Sequence, residues 1–216
     1  MNYPDFFDQA PSITVHDGLA QFLGACTDGM ITYRYIDAVR LAGHSCPTVA
    51  GAYLMTRRAL DLLYPDTTPE RGAVQVRFVA PHDDGVTGVI GRVVSLITGA
   101  AGIGGFKGIG GKFRRQSLMH FKTGDDGEVC FERSDNGASV QISMQVNRVE
   151  ADPRTNTLLR KVLEGISSLD DAREFATLWQ ERVKRILIDH ADDPNLFAVT
   201  HVAPSTEPVH SINLRV

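Results

Sequence analysis

The chain has 216 residues, of which 43% are hydrophobic and 22% charged, and a net charge of −4. That is a globular composition, sufficient for one good-sized domain or a core with a helical appendage. No block of five or six like charges gives nucleic acid or an acidic membrane a handle. The first eleven residues lack a signal peptide's basic and apolar regions, and no apolar run approaches the roughly 20 residues that span a bilayer. Cys26, Cys46 and Cys130 form no paired framework and no C-x-x-C. They read as free thiols, metal ligands or buried small hydrophobes, in a cytoplasmic protein that binds neither nucleic acid nor membrane.

In chain order, residues 13–16 predict a short strand and residues 17–23 a weak helix, followed by a turn over 24–29. Residues 31–41 are ambiguous: Tyr33 and Tyr35 suit a strand, whereas Ile36, Val39 and Arg40 suit a helix. Residues 48–63 carry Val49, Tyr53, Leu60 and Leu63 at helical spacing, and Tyr64-Pro65-Asp66 ends that helix. Val74, Val76 and Phe78 alternate with Gln75 and Arg77, predicting a half-buried strand. Residues 86–98 read as a buried helix and 99–112 as a glycine-rich loop. Residues 113–122 and 128–133 predict a hairpin across Gly124-Asp125-Asp126-Gly127, with Cys130 as core filling. Residues 140–146 alternate cleanly as a strand. After Asp152-Pro153 the chain is helical to His190; Ser168 and Asp171 cap the second helix, which buries Phe175, Trp179, Val183 and Ile186. One short strand over 197–202 ends the reading. The whole is α+β: a mixed-sheet core over about 12–150 and a helical extension over about 153–192, in a single domain of 1–216.

The chemistry concentrates in Gly43-His44-Ser45-Cys46-Pro47. Proline suits the first position of a helix, because its missing N–H has no partner there anyway. Cys46 is then the N-cap, with its sulfur facing unsatisfied N–H groups and the positive end of the helix dipole, both of which favour the thiolate. In an extended approach His44, two residues earlier, points along the same side. Imidazole and thiolate at one spot suit Zn²⁺ or another late transition metal, with further ligands from elsewhere or from solvent. A buried cysteine beside a chance histidine accounts for the same residues.

Residues 43–53, Gly-His-Ser-Cys-Pro-Thr-Val-Ala-Gly-Ala-Tyr, resemble the Gly-His-x-Cys-Pro-Gly segment of the FmdE-like family, which takes its name from formylmethanofuran dehydrogenase. Leu96-Ile97-Thr98-Gly99 is similar to that family's later Leu-Thr-Gly element, and Gly110-Gly111-Lys112 to its Gly-Lys, so the resemblance covers residues 30–122. It implies a thioredoxin-like core, a mixed sheet of about five strands flanked by helices, and a homodimer. It also implies an active site that includes His44 and Cys46 and takes zinc. Three departures stand out. Ala100 replaces the family's second cysteine, Arg92 replaces an acidic residue, and there is no C-terminal cysteine-rich zinc finger.

Further metal ligands are expected among His16, Cys26 and His82. His82, where the strand over 74–80 ends, reads as a further ligand or general base or, more readily, as a solvated turn; His16 beside Asp17 reads equally as an oriented ligand or as part of a turn. His120, His190, His201 and His210 have no partner evident in the sequence. The glycine loop fits neither a P-loop nor a G-x-G-x-x-G, but its N–H groups with Lys107, Lys112 and Arg114 suit a small anionic ligand. Three functions compete. One is a metal-dependent enzyme acting on a small anionic molecule. Another is a carrier of metal, haem or a metallocofactor for an oxidoreductase. The third is a redox protein using Cys46 as its thiol.

Overall fold

The computed structural model describes residues 3–125 and 127–203, with side chains as far as residue 200. His210, and the side chain of His201, lie outside the described residues. A short hairpin of β1 (Ile13–His16) and β2 (Met30–Tyr33) brackets helix α1 (Gly18–Phe22). Helices α2 (Tyr35–Ala42) and α3 (Pro47–Leu63) precede β3 (Val74–Phe78) and α4 (Thr87–Thr98). Strands β4 (Met119–His120), β5 (Val129–Arg133) and β6 (Ser139–Met144) come next. Helices α5 (Arg154–Leu163) and α6 (Leu169–Lys184) and the final strand β7 (Phe197–Ala203) complete the order. The ambiguous stretch from residue 31 is thus both things in turn: Tyr33 ends β2, whereas Tyr35, which suited a strand, opens α2 and is buried there beside Val39.

The main sheet is mixed and five-stranded, ordered β4-β3-β5-β6-β7, with β3–β4 parallel and the other pairs antiparallel. Helices flank it, which is the α+β layout expected. The predicted hairpin across residues 124–127 does not form. Its arms lie on opposite edges of β3: Val76 pairs with Met119 of β4 on one side and with Phe131 of β5 on the other. The chain runs beside β3 to its end, where Thr123 N–H donates to Phe78 O at 3.1 Å, then crosses over and returns. Arg77 of β3 holds the Asp125 carboxylate at 2.9 Å and so pins the crossing to the strand it straddles. Turn chemistry identifies a reversal but not what lies between its arms. The true hairpin partner of β5 is β6.

Helix α3 lies on this sheet and buries almost its whole length, including Val49, Tyr53, Leu54, Met55 and Leu60. Gly51 permits the close approach, since a Cβ there would come within 2.2 Å of Met144 Sδ and 2.7 Å of Val146 Cγ1. Cys130 is buried, as expected, and accepts a hydrogen bond from Arg77 at 3.1 Å. Val183, Ile186 and Leu187 join the same core cluster as α3 and the sheet. Phe175 and Trp179, expected in the core, are only half-buried; Leu178 and Leu187 take the deeper places. Trp179 is left at the margin because it has a polar task.

Candidate functional site

Helix α2 ends at Gly43, whose left-handed backbone (φ 77°) turns the chain into the loop of residues 44–46. Cys46 then caps α3 as predicted, with Pro47 in the first helical turn and Sγ accepting from Val49 N–H at 3.4 Å. The sulfur is half-buried against the core. His44 is exposed, and its Nδ1 lies 3.0 Å from Ala42 O. A carbonyl can only accept, so Nδ1 carries a hydrogen, and Nε2 has no partner among the described residues.

Ser45, between them, is clamped from three sides. Gln180 of α6 accepts from the Ser45 hydroxyl at 3.0 Å and donates back to the Ser45 carbonyl at 3.2 Å. Trp179 Nε1 donates to the same carbonyl at 3.1 Å. With the serine proton committed to Gln180, the Tyr35 hydroxyl donates to Ser45 Oγ at 2.9 Å. Burial pushes the Tyr35 phenol far above its ordinary range, so it remains a donor. None of these positioning residues was singled out from sequence. Trp179 was read only by its hydrophobic spacing, and nothing local to Gln180 marks a partner 135 residues away.

His44 lines a cleft of about 230 Å³ with Leu41, Ala42, His82, Val89 and Arg92. His82 is held at its rim by an edge-on contact with Phe121, ring centroids 4.9 Å apart. Gly88 gives it room, since a Cβ there would sit 2.9 Å from His82 O and 3.3 Å from the imidazole. The structure therefore brings together two of the expected histidines and adds Arg92, the position at which the sequence departs from its resemblance. Cys46 does not line this cleft. A larger depression of about 660 Å³ lies between the N-terminal segment and α2. It contains no histidine or cysteine, and its Asp37 is engaged by Arg34 N–H and by Arg40.

The other expected ligands lie elsewhere. His16 is committed, with Nδ1 2.5 Å from Glu70 and Nε2 3.3 Å from Gln21. The hydrogen bond to Glu70 raises its pKa. Beside it, buried Asp17 caps α1 and meets Arg71 at 2.8 Å and Arg115 at 2.7 Å. Burial pushes the Asp17 carboxyl up, but the Arg71 hydrogen bond, the Ala20 N–H and both positive charges outweigh it and hold its pKa low. Cys26 is a half-buried free thiol in the turn before β2. Lys107, Lys112 and Arg114 are exposed on the glycine-rich loop and line neither the His44 cleft nor the furrow next to it. His190, without an evident partner in the sequence, lies 3.0 Å from Asp193. Among the described residues, no three or more His, Cys, Asp and Glu side chains are grouped to hold a metal ion.

A family model described as FmdE, molybdenum formylmethanofuran dehydrogenase operon, matches residues 41–197. The chain belongs to the FmdE family. The match begins just before His44 and takes in Cys46, His82, Arg92, the glycine-rich loop and the two α6 residues that clamp Ser45. It shares residues 41–122 with the resemblance, extends it to residue 197, and leaves out His16 and Cys26. No curated protein matches the sequence significantly. Among the described residues, no helix is long and apolar enough to cross a membrane.

Proposed function

We propose that this FmdE-family chain is a metal-binding protein whose His44 cleft receives a small anionic molecule. The observation that carries the reading is His44 itself. The last carbonyl of α2, Ala42 O, engages Nδ1, leaving Nε2 as a ligand atom in a cleft shared with His82 and Arg92. Imidazole nitrogen with a helix-capping sulfur is a donor set suited to zinc or a similar late transition metal. His44 and Cys46 would supply two ligands, with His82 as the alternative second. The rest of the coordination would come from solvent, from the bound molecule or from a second copy of the chain in a homodimer. A metal so held would supply Lewis acidity. The residues of the chain do the remaining work: Ala42 O fixes the His44 tautomer, Tyr35, Trp179 and Gln180 fix the loop, and Phe121 orients His82.

A carrier role is the second reading, favoured by the exposure of His44 and by a site with only two protein ligands, which exchanges its ion readily. Elemental analysis and zinc titration of the full chain, with His44→Ala, Cys46→Ser and His82→Ala beside it, test both. The expected result is zinc bound by the wild type, lost in His44→Ala and weakened in Cys46→Ser. Unchanged zinc content in both variants would end both metal readings. Slow release to a chelator marks an enzyme's resident ion and fast release a carrier's. An absorbance spectrum of the native protein tests the haem variant of the carrier.

A further inference from the structure

Helix α4 carries Arg92 on a rim shared by two depressions. On one side is the His44 cleft. On the other is a furrow of about 360 Å³ lined by Ser95, Ala101, Ile103, Gly104, Met119 and Phe121 among others. His82 and Arg92 are the two residues that line both. The furrow is otherwise nearly all apolar side chain or bare backbone.

Arg92 is also unengaged, a state it shares among the described residues with Arg58, Arg114 and Arg160, none of which lines the cleft or the furrow. Arg71, Arg77, Arg115, Arg133 and Arg154 each meet a carboxylate, whereas Arg92 has no ion pair or side-chain hydrogen bond among the described residues. A guanidinium presents a planar fork of donors that matches the two oxygens of a carboxylate or phosphate. Here the fork lies beside an imidazole, with an apolar furrow on one side and His44 on the other.

We infer that the cleft and furrow together seat an organic anion with an apolar tail: the carboxylate or phosphate group at Arg92 and His82, the tail along Ile103, Met119 and Phe121. Arg92 is thereby the specificity-determining residue of the site. This deepens the proposed function and rests on its choice of the His44 cleft, but not on the metal. It also moves the anion from Lys107, Lys112 and Arg114, where the sequence suggested it, to α4.

The test is calorimetric titration of the full chain, in chelator, with acetate, hexanoate, inorganic phosphate and hexyl phosphate. Each methylene buried in the furrow should tighten binding by about fourfold, so hexanoate should bind well ahead of acetate. Arg92→Gln, an exposed change that spares the fold, should weaken hexanoate and hexyl phosphate by about tenfold, while Lys112→Gln should leave both within about twofold. Gly104→Leu should weaken hexanoate while sparing acetate, and the fold should accept it because a Cβ there meets nothing within 4 Å. The comparison of hexanoate with hexyl phosphate tells which acid the rim prefers. Indifference of hexanoate to Arg92→Gln, or equal binding of acetate and hexanoate by the wild type, overturns the inference. Zinc binding by His44 and Cys46 would survive that result, just as Arg92-dependent binding in chelator would survive a failure of zinc to bind.

Discussion

Two corners of the molecule carry a histidine amid charged residues, and they are built on opposite plans. At the β1–α1 corner the histidine and the buried carboxylate are satisfied from within, His16 by Glu70 and Gln21 and Asp17 by Arg71, Arg115 and the start of α1, while Arg115 Nε is left without a partner among the described residues. At the α2–α3 corner the backbone is held as firmly, through Ser45, but among the described residues His44 Nε2 has no partner and Arg92 close by meets no carboxylate. Internal saturation marks scaffold, whereas restraint of the loop with an unsatisfied side chain marks a place for something else to bind. At His16 the neighbouring Glu70 carboxylate engages the imidazole, whereas among the described residues no carboxylate engages His44.

The contrast can be broken most forcefully at Asp17. Asp17→Ala strands two arginines around a buried void and should cost about 3–5 kcal/mol in chemical denaturation. The same carboxylate predicts an acid limb. Its native pKa lies below the unfolded value of about 3.9, so its contribution is complete above that pH and is lost as pH falls through the lower native value. A stability profile that stayed flat as the pH fell through that range would contradict the saturated-corner reading. Next in size, Gln180→Ala should cost about 1 kcal/mol and loosen the loop, weakening zinc and hexanoate together; unchanged binding would show that the clamp does not position His44.

Glu70→Gln comes lower, at under about 1 kcal/mol because the pair is partly exposed. Glu70 raises the His16 pKa. The stabilisation is therefore complete below the unfolded histidine value of about 6.5 and fades as pH rises through the higher native one. Imidazole titration by NMR should show the His16 midpoint falling in Glu70→Gln. Smallest of all, His44→Ala and His82→Ala should shift stability by no more than about 0.5 kcal/mol, although both remove groups from the cleft. A large loss of stability in either would make them scaffold like His16.

Much of the fold was legible because its signals are local. Alternation of Val74, Val76 and Phe78 gave β3, the spacing of Val49, Tyr53 and Leu60 gave α3, Cys46-Pro47 gave its start, and Ser168 with Asp171 gave the cap of α6. What sequence could not supply was pairing at a distance. The turn over 124–127 looked like a hairpin because nothing in it reveals that β3 lies between its arms. The site was half legible for the same reason. His44 and Cys46 announce themselves in one short motif and His82 by its place after β3, but the convergence of His82 and Arg92 on His44 depends on the packing of α4 against α2. Gln180 becomes visible only once α6 is seen to pass Ser45.

That last contact has a consequence for the order in which the protein matures. The loop that presents His44 is synthesised early, yet the amide and indole that restrain it belong to a helix made long afterwards. Vectorial synthesis releases N-terminal segments to fold first. A nascent chain stalled short of α6 therefore has the motif without its restraint. The restraint on Ser45 would arrive only when the C-terminal helices dock, and with the same step Val183, Ile186 and Leu187 close the core over α3.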